Sequence, residues 1–485
     1  MRALWPTLNR YLVWFHRWGG VVLCLLFAVW FASGAVLHFV GFPALSDDER
    51  VARSEPIDLS RLRIDPSTAL AHRPGADQLR LISVLGRPVY LVSALGAAPI
   101  AVAGDSGALL APLTAAAAER VAAQFDRARA AAVAGPFDYD QWIVHQHFDP
   151  YRPFFRVRLD DPGKTDLYVS ARLGEVWQKT TASERMWNWL GAVIHWIYFT
   201  PLRKSWSAWN QVVWWVSLVA LLSSIAGVWL GTVRLVANRS AGRRGLSPFR
   251  GWMRWHHVIG LFASVVVLAW IFSGWLSMDH GRLFSKGIAT TAQVQRVRGT
   301  SFDSTVGAAS LTAVQAAGPA SEISFHAIAG RAFLESQGGG VPARITWLTG
   351  GRRAVDARIP DLLLLAGVRQ AWPTAEPIGA ADDEDDALYR LAESLPLQAT
   401  AFWVPGKAST RVYLDRDSGE ILVVMDPSRR AYAWIYYALH TLNFPALIDR
   451  PLARTVLVLL LLAGGLGFVV TGVVLAVRRV KLELA

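Results

Sequence analysis

The stretch WFHRWGGVVLCLLFAVWFASG, residues 14–34, decides the fold. A histidine stands at the start of an apolar run, and a similar arrangement, WHHVIGLFASVVVLAWIFSG, returns at residues 255–274, 240 positions later. Four windows contain no Asp, Glu, Lys or Arg: 18–46, 205–233, 255–278 and 455–477. Each exceeds the ~20 residues that an α-helix needs to cross a bilayer core. A chain in lipid must satisfy its own backbone, so the windows predict four transmembrane helices. The first window is longer than the ~7–15 residues of a signal-peptide core and has no A-x-A site after it. It is expected to stay as an uncleaved span.

Charge sets the expected orientation. The segment 234–254 carries Arg234, Arg239, Arg243, Arg244, Arg250 and Arg254 and no acid. Arg2, Arg10 and Arg17 precede the first span, and Arg478, Arg479 and Lys481 follow the last. The positive-inside rule puts all three regions in the cytoplasm. The expected organisation is 1–46 (N-terminus and span one), 47–204 (outer region one), 205–233 (span two), 234–254 (cytoplasmic loop), 255–278 (span three), 279–454 (outer region two) and 455–485 (span four and tail). Acids such as the DDEDD run at 382–386 fall outside. The net charge of +12 is therefore a topology signal. No nucleic-acid partner is expected, because the arginines flank spans instead of forming one folded basic face. The single cysteine, Cys24, excludes intramolecular disulfides and Cys-ligated clusters.

The two halves match one another. An offset of 240 aligns His16, Gly20, Trp30, Ser33 and Gly34 with His256, Gly260, Trp270, Ser273 and Gly274. An offset of 245 aligns Tyr168, Gly174, Glu175, Arg185, Trp189, His195, Phe199 and Gly227 with Tyr413, Gly419, Glu420, Arg430, Trp434, His440, Phe444 and Gly472. Landmarks in one order predict an internal duplication, two helices per half, with a pseudo-two-fold axis along the membrane normal. That axis levels His16 with His256, and His195 with His440. The outer segments read as α+β. QLRLISVLGRPVYLVSAL (78–95), DLYVSARLGEVW (166–177) and TRVYLDRDSGEILVV (410–424) alternate as strands around Gly-containing turns, and LTAAAAERVAAQ (113–124) is helical. The Ala/Gly/Pro-rich 303–320 is expected as loop.

Of the eleven histidines, seven crowd the span ends: His16, His38, His195, His256, His257, His280 and His440. Imidazole beside hydrocarbon is costly and tends to face the bundle interior and mark function. His16 and His38 are 22 residues apart, about 33 Å of helix, so they cannot share a ligand. Haem is the candidate, since its iron takes axial imidazoles from helices on opposite faces of the ring. A haem near each membrane face would carry electrons across; two near the outer face is the other arrangement. His16, His256, His195 and His440 lead as axial ligands. His38 and His280 are further candidates for an outer haem, because Met278 stands where the duplicate of His38 would be. His257 competes with His256. His145 and His147 could hold a metal as an i, i+2 strand pair, and His72 and His326 read as ordinary domain residues. A lone boundary histidine is commonly interfacial; recurrence at matched depth favours ligation here. Gly19, Gly20, Gly34, Gly260 and Gly274 would admit a large ring, or serve helix packing. Arg17, Arg254, Arg203 and Lys204 could meet propionates. MWNWLGAVIHWIYF (186–199) and AYAWIYYALHTLNF (431–444) read as amphipathic surface helices, each with a central histidine. No dinucleotide fingerprint, P-loop or H-E-x-x-H occurs in these contexts, so electrons would come from quinol or a separate donor.

The HRWGG start of span one, the repeated Y-[VL]-[SD]-x-x-x-G-E turn at 168–175 and 413–420, and the [IL]-H-x-x-x-F element before spans two and four resemble the PepSY-associated transmembrane helix family of bacterial inner membranes. The resemblance covers nearly the whole chain and extends to iron-regulated membrane proteins that act as di-haem ferric-siderophore reductases. It implies b-type haem, two per chain, held by His16, His195, His256 and His440, with two periplasmic α+β PepSY-like domains. It also implies an enzyme that reduces a ferric siderophore or similar chelate, with iron-uptake proteins as possible partners and the lipid membrane as its setting. No catalytic residue is carried over. The rival is a non-redox PepSY membrane protein that binds a peptide, protease or partner. A transporter is the weaker alternative, because four spans with few internal charges make a poor permeation path.

Overall fold

A computed structural model describes residues 4–284, 286–349, 355–377, 385–406 and 409–485. Arg2 and residues 382–384 of the acidic run lie outside them. Four long helices, Leu4–Phe39, Trp206–Ser240, Gly251–Leu276 and Pro451–Leu484, occupy the four charge-free windows. They close a ring in which the first packs on the second and fourth, and the third packs on the same two. Leu23, Phe31, Leu221, Ile271, Leu462 and Val469 fill its interior. Val22, Leu25, Phe262, Val265 and Leu460 point out, where a lipid tail takes the place of a protein partner. The buried hydroxyls Ser33, Ser223, Ser273 and Thr471 face inward. Hydroxyls facing into such a bundle are either packing glue or part of a site.

Three antiparallel sheets stand on the side away from the chain termini. Strands β1 (Gln78–Val84), β2 (Arg87–Ala94) and β3 (Ala97–Ala103) come first, followed by β4 (Ala130–Phe137), β5 (Phe154–Leu159), β6 (Asp166–Ser170) and β7 (Val176–Thr180). After the third span come β8 (Glu322–Ile328), β9 (Arg331–Gln337), β10 (Arg344–Trp347) and β11 (Val355–Asp356), then β12 (Glu376–Pro377), β13 (Ala399–Val404), β14 (Thr410–Asp415) and β15 (Ile421–Met425). The sheets β4–β7 and β12–β15 each belong to one half of the chain. The third sheet does not. Its order is β11-β10-β9-β8-β1-β2-β3, with Arg80, Leu81 and Ile82 opposite Ser324, Ile323 and Glu322. The two outer regions are thus spliced through one sheet and are not two separate domains. Each would otherwise end in an edge strand with unpaired N–H and C=O groups, and β1 with β8 satisfies both.

A buried knot of charge locks this splice. Arg50 Nη1 lies 3.0 Å from Glu175 and 2.8 Å from Glu322, and Arg80 reaches the same two carboxylates at 2.8 and 2.9 Å. Glu420, aligned with Glu175, meets Arg298 at 3.8 Å and His326 at 3.7 Å, and His326 Nε2 lies 3.2 Å from Glu335. His326 is thereby a half-buried pairing residue that holds two carboxylates, more than an ordinary domain residue.

The stretch 303–320 is not a loop. Helices Phe302–Gly307 and Leu311–Gln315 are opened by Ser301 and Ser310, whose hydroxyls accept from the N–H of Ser304 and Ala313. Val306, Ala309, Val314, Ala317 and Ala320 enter the core. Serine caps and alanines build short helices as readily as loops, and composition alone concealed the difference.

Candidate functional site

Two imidazole pairs lie inside the bundle. His16 of the first span and His256 of the third have ring centroids 6.3 Å apart, with planes at 37°. His195 and His440 have centroids 6.5 Å apart, with planes at 75°. Ser33, which touches His195, lies 17 residues beyond His16 on one helix, so the pairs are separated by roughly 25 Å along the bundle.

Hydrogen bonds fix the tautomer of all four rings. His16 Nδ1 is 2.9 Å from the carbonyl oxygen of Ser223, which can only accept, so Nδ1 carries the proton. His195 Nδ1 lies 2.8 Å from Ser33 Oγ, whose own proton goes to the Val29 carbonyl at 2.6 Å. His440 Nδ1 lies 3.0 Å from Ser273 Oγ, which donates to the Ala269 carbonyl at 2.7 Å. His256 Nδ1 lies 2.9 Å from Thr471 Oγ1, which donates to Phe468 at 2.5 Å. Each hydroxyl has one proton and has spent it, so each accepts from the ring. Every Nε2 is therefore a free lone pair on the far side of its imidazole. This is how protein histidines are prepared for a metal: one nitrogen anchored, the other offered.

Glycine makes room for His16, and at the other three rings a Cβ would make only ordinary van der Waals contact. A Cβ at Gly34 would stand 3.8 Å from His195 Cε1, one at Gly274 3.4 Å from His440 Cε1, and one at Gly472 3.6 Å from His256 Cε1. At Gly227 it would overlap the His16 ring. Gly34 and Gly274 are adjacent to the anchoring serines, so the Ser-Gly dipeptide repeats in the two halves. Each histidine of the second pair also follows a π-helical turn, Trp189–Val193 and Ala433–Ala438. Such turns re-aim the next residues and cluster at functional sites. Burial pushes the His195 ring down to about 3, with His440 adding to the effect, and burial pushes His440 down to about 4. Both stay neutral at ordinary pH, as ligation requires.

A cavity of about 690 Å³ lies at the second pair, bounded by His195, His440, Trp30, Trp270, Phe31 and Tyr436, among others. It falls within the range for a cofactor-sized ligand. His38 also lines it, but its Nε2 shares a hydrogen bond with Thr455 Oγ1 at 2.9 Å. His280 is exposed and lies against Trp214, centroids 4.6 Å apart. Neither makes a ring contact with another imidazole among the described residues. His257 is turned to the Gly231 carbonyl at 2.9 Å, leaving His256 to face His16. His145 and His147 are not on a strand. They open the 3-10 turn Gln146–Tyr151, with rings 5.3 Å apart, and no group of three ligating side chains occurs among the described residues. The anchors Ser223 and Thr471 escape sequence reading because they are not aligned with each other.

Such a fold and site define a polytopic membrane protein with two inward-facing imidazole pairs, one toward each end of a four-helix ring. The chain belongs to the PepSY-associated TM region family, which it matches over residues 13–479. No curated protein matches it.

Proposed function

We propose that the protein is an inner-membrane b-type haem protein that passes electrons across the membrane to a ferric siderophore or similar iron chelate in the periplasm. The observation that carries this is the spacing and polarity of the two pairs. A metal–imidazole bond of about 2 Å on each side, plus roughly 1 Å to each ring centre, puts two axial imidazoles about 6 Å apart. The pairs stand at 6.3 and 6.5 Å with Nδ1 anchored. His16 with His256, and His195 with His440, would hold one haem each.

Haem iron would supply one-electron exchange; the chain supplies the rest. Ser33, Ser273, Ser223 and Thr471 keep the rings in the ligating tautomer, and Gly227 lets His16 sit close to backbone. Phe31 and Trp270, centroids 5.7 Å apart, place aromatic surface in the wall of the second site. An external quinol yields two electrons and two protons, enough to take two ferric chelates to the ferrous state, in which hard-oxygen chelation is weaker. Termini in the cytoplasm and sheets in the periplasm follow from the arginine bias.

The test is a pyridine haemochrome measurement on purified full-length protein. Two haems per chain are expected in wild type and one after His256→Ala or His440→Ala; wild type without a Soret band ends the proposal. A second reading, a non-redox protein that binds a peptide or partner, draws on the accessible edge of β4, where Ala131, Ala132, Gly135 and Pro136 are exposed. It requires unchanged spectra and function in both variants.

A further inference from the structure

The cavity beside His195 and His440 is lopsided in its chemistry. Toward the bundle its walls are Phe27, Phe31, Val458 and Leu462; toward the sheets they include His38, Asn443 and Arg454. Among the described lining residues Arg454 is the only Lys or Arg, and no Asp or Glu is present to neutralise it. It lies in the first turn of the helix Pro451–Leu484, whose dipole adds to its positive potential. Its Nη1 donates to Asn443 Oδ1, but its Nε is buried without an acceptor. Across the same cavity the indole N–H of Trp275 is likewise buried without an acceptor. Buried donors left unmade are costly, and two of them lining one cavity, one cationic, call for an anionic acceptor.

We propose that Arg454 and Trp275 receive the carboxylates of the group held between His195 and His440, turning its acidic edge toward the sheets. This rests on the haem reading above. Haem b is an apolar disc with two carboxylates on one edge, and the cavity has an apolar end, a cationic end and two unsatisfied donors. Arg454 and Trp275 are positioning residues in this scheme. Arg454 also sets the electrostatic field at the iron, since a nearby cation favours the more negative, reduced state.

The test uses purified full-length protein. Arg454→Gln is expected to keep both axial ligand pairs, to release haem to apomyoglobin about tenfold faster, and to lower one of two midpoint potentials in a redox titration. Arg454→Lys should restore the potential more fully than the off-rate, because it keeps the charge and loses the fork. Arg450→Gln, an exposed cation one turn away that does not line the cavity, should match wild type. If Arg454→Gln does not fold, the propionate bending bands in resonance Raman spectra of wild type and Arg454→Lys decide; no difference overturns the proposal. Unchanged off-rate and potentials in Arg454→Gln overturn it while leaving the haem reading intact. A wild type that binds no haem overturns both.

Discussion

The smallest unit of this protein's chemistry is an imidazole whose Nδ1 proton is already committed. Ser33 and Ser273 accept that proton because a helix carbonyl one turn back has taken theirs. Removing such an outer-shell partner commonly weakens metal binding 10–100-fold. On the proposed haem reading, Ser33→Ala or Ser273→Ala should therefore loosen one haem by about that factor while leaving the other in place, seen as biphasic haem loss; Cys at either site should be milder than Ala. His326 makes a pH prediction of its own. Burial opposes its charge, but the bond to Glu335 and the charges of Glu420 and Glu335 raise it above its usual value. Its contribution to stability is then fully present below pH ~6.5 and lost as pH rises through the raised value. His326→Gln should flatten that part of the stability–pH curve measured by chemical denaturation.

At the scale of elements, the π turns Trp189–Val193 and Ala433–Ala438 aim His195 and His440. Deleting one residue within Trp189–Val193 would restore α-helical winding and swing the following side chains by about 100°. His195 should then leave Ser33, and on the proposed haem reading one of two haems should be lost with the protein still inserted in the membrane. Spans, hairpins and the surface helices could be expected from the chain because each has a local signal: hydropathy, alternation, turn glycines, amphipathic spacing. A π turn has none. It is an α-helix with one extra residue, here with Gly191 and Ala192 buried and Gly191 close to Val36 of the first span.

Across the whole molecule, the two halves are tied at the membrane by the helix ring and above it by β1 and β8. The knot of Arg50, Arg80, Glu175 and Glu322 sits at that join. Burial would raise Glu322, but Arg80 and Arg50 override it and hold its carboxyl well below the usual range. A depressed carboxylate stabilises above its unfolded value, ~4.3, and that stability is lost as pH falls toward the folded one. The join should thus weaken in acid below about pH 4. Arg80→Ala leaves buried charge uncompensated, and a loss of about 3–5 kcal/mol is expected; proteolysis between β3 and β4 is a direct readout. Arg80→Met with Glu322→Leu should recover much of it.

From the chain alone one could read four spans, their orientation signal, the α+β outer parts, and the four histidines that recur in register. All of these depend on composition and spacing, which are local properties of a sequence. The stretch 303–320 shows where composition misleads: the same alanines and serines serve loops and capped helices, and only burial chooses. Tertiary structure alone decided that His256 and not His257 faces His16, that His38 and His280 make no imidazole contact, that both outer segments share one sheet, and that Arg454 and Trp275 look into the cavity. Those are matters of which face of one element meets which face of another, set by the packing of residues hundreds of positions apart.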